Sequence, residues 1–192
     1  MIIVDYNKIP KYQGFSLKNK VARLGWAIVY WMFFRTAVYP AGRYVRIAIL
    51  KMFGARADWH ALVYPTVRIW APWNLTIGPR SVLGPRVNCY NPAPIVLGRK
   101  ITISQDVYLC AGGHDISKII LPFVCAPIAI DDYVWVCANA FIKYGVTIGE
   151  GAIVGATSSV YKSIEPWTVV GGNPTKFIKR RVLERGKEIG VQ

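Results

Sequence analysis

Aliphatic residues recur at every sixth position from Ile130 to Val160: Ile130, Val136, Ile142, Ile148, Val154 and Val160. Two earlier runs keep the same step, Leu97, Ile103, Leu109 and Ile77, Leu83, Cys89, Ile95. Helices repeat every ~3.6 residues and strands every 2, so a period of six belongs to neither. Ile, Val and Leu make up 53 of the 192 residues. Six hits in one register would then arise by chance roughly once in 2000 trials. The fourth residue after each of these is also small or apolar: Val134, Ala140, Val146, Ala152, Ser158 and Ile164. Glycine follows the ladder residue directly at Gly78, Gly84, Gly98, Gly149 and Gly155. The pattern predicts a β-solenoid. Each hexad is a short strand plus a turn, three hexads close a triangular coil of 18 residues, and the ladder residue points inward onto its equivalent in the next coil. Glycine after it suits a corner that needs a positive φ or a close backbone approach.

The flanking segments read differently. Residues 1–15 form an irregular arm, and residues 16–36 and 41–53 read as two helices separated by Tyr39-Pro40. Ser16 is placed to cap the first helix, and Gly54 follows the second, where a C-terminal glycine belongs. The solenoid is expected from residue 60 to residue 172, after an N-terminal part of residues 1–59. Its ladder breaks after Leu109. The stretch from there to Ile130 exceeds three hexads by three positions, so a protruding loop is expected between 110 and 128. That loop holds Gly112-Gly113-His114-Asp115. Gly171-Gly172-Asn173-Pro174 ends the coils, and residues 173–192 form a basic tail whose segment from Thr175 to Gly186 reads as a short helix packed back on them.

Charge sharpens this division. The net charge is +14. Residues 1–60 carry ten Lys/Arg against two acids, residues 61–170 eight against six, and residues 171–192 six against two. The excess therefore sits at the two ends of a nearly neutral solenoid. No nucleic-acid motif accompanies it, so nucleic acid is not the expected partner. A phosphorylated ligand at the C-terminal end and an anionic membrane surface at the N-terminal end fit better. The start of the chain lacks the charged leader and small-residue cleavage site of a signal peptide. The run from Leu24 to Phe34 is intensely apolar but too short to cross a bilayer. It reads either as a helix buried against the solenoid or a neighbouring subunit, or as an interfacial helix with Trp26, Tyr30 and Trp31 at headgroup level. Cys89, Cys110, Cys125 and Cys137 form no C-x-x-C pair and read as free buried thiols of a reducing compartment.

Few residues offer chemistry. His114 stands behind two glycines in the loop break, and a neutral imidazole is matched to taking a proton from a hydroxyl near pH 7. His60 reads as a packing or capping residue, and Asp115 as one that holds the His114 loop or caps its turn. Cys110 lies near His114 in sequence, but a strand-embedded Cys is more often inert packing than a nucleophile. No G-x-G-x-x-G fingerprint is present. In the tail, Lys176, Lys179 and Arg180 would share one face of a helix and suit a phosphorylated ligand.

These motifs resemble a family. Val134-Trp135-Val136, the run from Gly145 to Ala152, Val154-Gly155-Ala156 and Gly172-Asn173-Pro174 are similar to the hexapeptide-repeat acyltransferases, in particular the galactoside and maltose acetyltransferase branch. The whole chain resembles the colanic acid biosynthesis acetyltransferases more closely. There the likeness includes Phe15 to Asn19, Tyr64 to Trp70, and Tyr108-Leu109-Cys110 leading to His114-Asp115. The resemblance implies an all-β core, a single-stranded left-handed parallel β-helix of triangular coils, with N-terminal helices and a short C-terminal helix. It implies a homotrimer with acetyl-CoA as co-substrate in the groove between adjacent subunits, and no metal. His114 matches the family's catalytic histidine. Ala138 and Ala156 match corner positions that meet the pantetheine arm. Lys162 matches the lysine of a Thr-Lys pair near CoA, with Tyr161 in place of the threonine. Lys176 and Lys179 match basic positions near the nucleotide phosphates, and Asn91 matches an acceptor-site asparagine.

The implied activity is acetyl transfer from acetyl-CoA to a sugar hydroxyl of an exopolysaccharide or its lipid-linked precursor. The implied setting is cytoplasmic, at the inner face of the membrane with peripheral contact. Two rivals use the same fold. A zinc carbonic anhydrase needs three His ligands per metal, and the chain has two histidines. A non-catalytic solenoid scaffold would need neither a lone His in a loop break nor a basic cap.

Overall fold

The structure is a computed structural model that describes residues 14–37 and 42–183. Residues 1–13, the Tyr39-Pro40 junction and residues 184–192 lie outside the described residues. Short strands stack into three parallel sheets, which form the three faces of a prism. The first face stacks Arg56–Ala57, Leu75–Ile77, Ile95–Leu97, Ile128–Ile130 and Thr147–Ile148. The second stacks Leu62–Val63, Val82–Leu83, Thr102–Ile103, Trp135–Val136, Ile153–Val154 and Thr168–Gly171. The third stacks Arg68–Ile69, Asn88–Tyr90, Tyr108–Cys110, Phe141–Lys143 and Ser159–Val160. Ladder residues pair across coils as the period requires: Leu83 with Ile103, Ile103 with Val136, Val136 with Val154. All are fully buried. The positions four residues on from the later ladder, from Val134 to Ile164, are buried as well.

The coils are not of one length. On the first face the early rungs, Ala57, Ile77 and Leu97, are spaced two positions wider than the later rungs, Ile130 and Ile148. The added positions widen the corner after the third face, around Trp70–Asn74 and Tyr90–Pro94. Side-chain amides supply the hydrogen bonds that the widened corner would otherwise lack: Asn74 Nδ2 donates to the carbonyls of Asn91 and Pro92 at 3.1 and 3.0 Å. The solenoid also begins a little before residue 60, at Ala57.

The glycines that directly follow a ladder residue serve close approach, whereas Gly145 and Gly151 take the left-handed corner position. A Cβ on Gly84 would lie 2.9 Å from the Ile103 carbonyl oxygen, and one on Gly149 would lie 2.6 Å from Pro166 N. The left-handed positions fall elsewhere, three residues after the ladder. Arg80, Arg86, Lys100, Asp106, Tyr133, Asn139, Thr157 and Trp167 all have φ between +54° and +60°. Stacking these corners puts Arg86 beside Asp106, and the two form a bidentate pair at 2.7 and 2.6 Å.

Helix α1 (Leu17–Val29) and helix α2 (Gly42–Met52) cover the N-terminal end of the prism. Ser16 Oγ accepts from the Asn19 N–H at 3.3 Å. Gly54 takes φ +86° after α2, as the sequence suggests. Beyond Val29, α1 widens into a π-helical turn, Tyr30–Phe34. Trp26, Tyr30, Phe34, Ile47 and Leu50 are buried, and Trp26 Nε1 donates to the Ile69 carbonyl at 2.6 Å. Arg46 is buried too, donating to the carbonyls of Val63 and Ala37 at 2.7 and 2.6 Å.

At the other end the expected helix is absent from the described residues. Lys176–Arg180 is a strand that pairs antiparallel with Thr168–Gly171, with a bulge between Val169 and Val170. Thr168–Gly171 is the last parallel strand, and its free edge is satisfied by the returning chain, which a helix could not do. The thiols also differ from expectation: Cys89 is buried, Cys110 and Cys137 are half-buried, and Cys125 is exposed. Burial pushes the Cys89 thiol up to about 12.

Two outcomes test this packing. Ile103→Ala, which empties a rung sealed above and below, should cost about 2–5 kcal/mol of unfolding free energy in denaturant titration. At pH 8 the native protein should be alkylated at Cys125 first, with Cys89 unreactive until unfolded, as read by peptide mass spectrometry. The neutral Cys89 thiol stabilises the fold fully below its unfolded pKa of about 8.5 and loses that contribution as pH rises toward about 12.

Candidate active site

The break in the ladder is larger than hexad counting suggests. Leu109 and Ile130 are consecutive rungs: Leu109 pairs with Ile142 on the third face, and Ile130 pairs with Leu97 on the first. The whole stretch between them therefore replaces a single hexad step. It forms a hairpin, Gly112–His114 against Phe123–Cys125, projecting from the corner between the third and first faces.

Local packing fixes where this hairpin runs. A Cβ on Gly112 would meet the Pro92 ring at 2.7 Å and Phe123 at 2.9 Å, and one on Gly113 would meet the Tyr144 ring at 2.5 Å. The two glycines therefore let the strand pass between the widened corner of an earlier coil and the corner of the next. His114 lies opposite Phe123, with the rings edge-to-face at 5.9 Å. Phe123 in turn meets Phe15, just before α1, at 5.6 Å. At the tip, Asp115 Oδ1 accepts from Ser117 N and Oγ at 3.0 and 2.6 Å, bonds that lower the Asp115 pKa. Asp115 is thus the residue that closes the turn.

His114 Nδ1 lies 2.6 Å from the carbonyl oxygen of Leu121, which has φ +45°. A carbonyl only accepts, so Nδ1 donates, and in the neutral ring Nε2 holds the lone pair. The side chain is exposed. The geometry therefore holds an oriented imidazole with its basic nitrogen free, as a general base requires.

The other expected site residues fall into separate groups. Ala138 and Ala156 occupy equivalent places in successive coils, at the corner between the second and third faces, and Gly172 continues the line; Thr157 N donates to the Ala138 carbonyl at 2.9 Å. This edge carries no bulky side chain at those three positions, so a slender ligand can lie along it. Lys162 follows the last strand of the third face and so shares the corner from which the His114 hairpin springs. Lys176 stands opposite Gly171 on the added strand, and Lys179 opposite Val169. Both are exposed and form no ion pair with any described residue, so their charges are available to an anion. Arg180 and Arg181 are used differently. Arg181 donates to the carbonyls of Tyr133 and Gly151 at 3.0 and 2.7 Å, and Arg180 to that of Pro166 at 3.3 Å, tying the strand to the prism.

Asn91 does not line a binding surface. It is fully buried, its Oδ1 accepts from Ala71 N at 2.9 Å, and its Nδ2 donates to Ala71 O at 2.7 Å. Its amide is consumed bridging two widened corners, and its neighbour Pro92 supports Gly112. Cys110 Sγ donates to the Gly112 carbonyl at 3.1 Å and points at the hairpin backbone rather than at His114. His60 Nδ1 lies 3.0 Å from Asp58 Oδ1 at an exposed turn. Sequence reasoning misses Leu121, Phe123, Tyr144 and Phe15, which set the position of His114. None has a spacing of its own, because their contacts cross between elements. Among the described residues no group of three His, Cys, Asp or Glu could hold a metal.

No family model matches the chain. It is 38% identical to WcaF of Escherichia coli K12, assigned as a colanic acid biosynthesis acetyltransferase, over 91% of this chain and 94% of that protein. Among solved structures it resembles a galactoside acetyltransferase in complex with coenzyme A, with TM-score 0.78 and 25% identity, covering 88% of this chain and 84% of that one. A hexapeptide-repeat acetyltransferase of Vibrio cholerae, complexed with acetyl-CoA, shares the fold at TM-score 0.75 and 23% identity over 88% of this chain and 91% of its own. The ladder, the stacked parallel faces and these likenesses lead to one conclusion: the chain is a left-handed parallel β-helix that belongs to the hexapeptide-repeat acetyltransferases.

Proposed function

We propose that the protein transfers an acetyl group from acetyl-CoA to a sugar hydroxyl, with His114 as the general base. The observation that carries this is the Nδ1 contact to the Leu121 carbonyl, which leaves Nε2 as the only basic position on an exposed ring. The acceptor hydroxyl gives its proton to Nε2 as its oxygen attacks the thioester carbonyl. A tetrahedral intermediate forms, with a backbone N–H near the hairpin stabilising its oxyanion. It collapses by breaking the C–S bond, and the proton on Nε2 passes to the departing CoA thiolate. The pantetheine arm lies along the Ala138, Ala156 and Gly172 edge, Lys162 stands beside it, and Lys176 and Lys179 meet the nucleotide phosphates.

The active unit in this reading is a homotrimer. The His114 hairpin and Lys162 sit at one corner of the prism, and the Ala138–Ala156 edge sits at another. Closing a groove between neighbouring subunits brings unlike corners together, as a cyclic assembly of heterologous contacts does. The acceptor is a saccharide of an exopolysaccharide or its lipid-linked precursor, a reading supported by the likeness to WcaF. The enzyme then works in the cytoplasm, at the inner face of the membrane. No described helix is long and apolar enough to cross a membrane.

His114→Ala should lower turnover by about 10²–10⁴-fold, with acetyl-CoA affinity in calorimetry unchanged. Lys176→Ala should weaken acetyl-CoA severalfold through the loss of a charge-assisted contact. Near-full turnover by His114→Ala would remove His114 from the chemistry. Absence of acetyl-CoA binding by the wild type up to millimolar concentration would remove the transferase reading altogether.

A further inference from the structure

Helix α1 buries one face and leaves the other without a partner among the described residues. Trp26, Tyr30 and Phe34 turn inward onto the prism. Opposite them, Leu17, Val21, Leu24, Ile28 and Trp31 recur at steps of four and three, and all are more than half exposed; Leu17 is 76% and Leu24 64% exposed. Such steps put Leu17, Val21, Leu24 and Ile28 on one stripe of the α-helix about 100° wide, and the exposed Trp31 follows them in the π-helical turn. Of the two readings of this run, burial against the solenoid holds for Trp26 and Tyr30, and their placement at headgroup level does not. They are the inward anchors, and the outward surface is a different set of residues.

The charges around the stripe select its occupant. Lys18 and Lys20 flank it, and Arg35 stacks on Trp31 at 4.6 Å near its C-terminal end. Between Asp5 and Asp58 the chain has ten Lys/Arg and no Asp or Glu. A heptad-like stripe would suit a second copy of α1 only if the flanking positions offered opposite charges. Here every flanking charge is positive, so two copies would repel. An anionic, apolar-backed surface complements both features at once.

A second observation lies beside the stripe. Arg23, Arg68, Trp31 and Trp70 help to line a cleft of about 240 Å³ between α1 and the first strand of the third face. Arg23 lies over the Trp70 ring at 4.3 Å, and neither arginine pairs with a carboxylate among the described residues. Two guanidinium groups in an aromatic cleft suit a phosphate group. The cleft also adjoins the His114 hairpin through a chain of tilted and edge-to-face rings: Trp70 meets Phe15 at 4.8 Å, and Phe15 meets Phe123, which packs on His114.

We propose that the outward stripe of α1 rests on an anionic lipid bilayer, with Arg23 and Arg68 taking a lipid headgroup phosphate in the adjoining cleft. The membrane thereby presents a lipid-held saccharide to the His114 side of the prism. This deepens the lipid-linked half of the functional reading and rests on it only for that last consequence.

The test is flotation of the full-length protein with vesicles of phosphatidylcholine alone and with added phosphatidylglycerol. The wild type should float with the phosphatidylglycerol vesicles and do so at least tenfold less with phosphatidylcholine. Leu24→Glu combined with Ile28→Glu should reduce flotation at least tenfold. Arg68→Gln should reduce the preference for phosphatidylglycerol severalfold. All variants should keep the wild-type oligomer size and melting temperature. His114→Ala should float like the wild type, so a failure of the catalytic assignment would leave this result standing. Absence of flotation by the wild type, or flotation unaffected by the Leu24/Ile28 double variant, would overturn the proposal. So would a change of oligomer size in that double variant, since it would mean that a second copy of the chain covers the stripe.

Discussion

Coil-on-coil stacking is the constraint from which the rest follows. Each inward residue is sealed by its equivalent above and below, and each strand takes its hydrogen bonds from the neighbouring coils rather than from the next strand in sequence. No coil can bury its own ladder residue alone. Corners must therefore repeat at fixed places, three residues after the rung. There Arg80, Arg86, Lys100 and their equivalents accept a left-handed φ that would be unfavourable in isolation. Glycines are needed where one corner's backbone presses on the next, as at Gly84 and Gly149. Extra residues can enter only at a corner, and the third corner takes all the large departures: the widened turns at Trp70–Asn74 and Tyr90–Pro94, and the His114 hairpin.

That regularity makes the insertion precise. The hairpin strand threads between Pro92 and Tyr144, so Gly112 and Gly113 are fixed by coils on both sides. Asn91, buried and joined to Ala71 through both ends of its amide, holds the corner that carries Pro92. The imidazole of His114 is exposed, yet it is oriented by Leu121 and flanked by Phe123. Phe123 also ties the hairpin to Phe15 ahead of α1, so the N-terminal helices and the His114 hairpin belong to one packed region.

The ladder is legible in the sequence because neither a helix nor an ordinary strand produces a period of six, and His114 is legible because it sits where that period fails. Counting cannot size the break, since the stretch from Leu109 to Ile130 fits three hexads with a remainder as well as one step with a hairpin. Three cations at helical spacing suggest a helix for the tail, but they say nothing of the unpaired edge of Thr168–Gly171, a tertiary demand that makes the tail a strand. Asn91 matches a family position by type, but its buried corner is set by the widening of the early coils, which the shared hexad register conceals. The apolar run at Leu24–Phe34 is visible, but which of its tryptophans faces inward depends on the Trp26 bond to Ile69.

In the proposed trimer, the His114 corner of one subunit is completed by the Ala138–Ala156 edge of another. Co-expressing His114→Ala with Ala156→Phe tests this most directly. The second variant blocks the edge and leaves the base intact, and each variant is expected to be inactive on its own. Random assembly into trimers should restore about a quarter of the wild-type sites if base and edge come from different chains. Mixed trimers that form but stay as inactive as the single variants would show that each chain carries a whole site, and the intersubunit site would be ruled out.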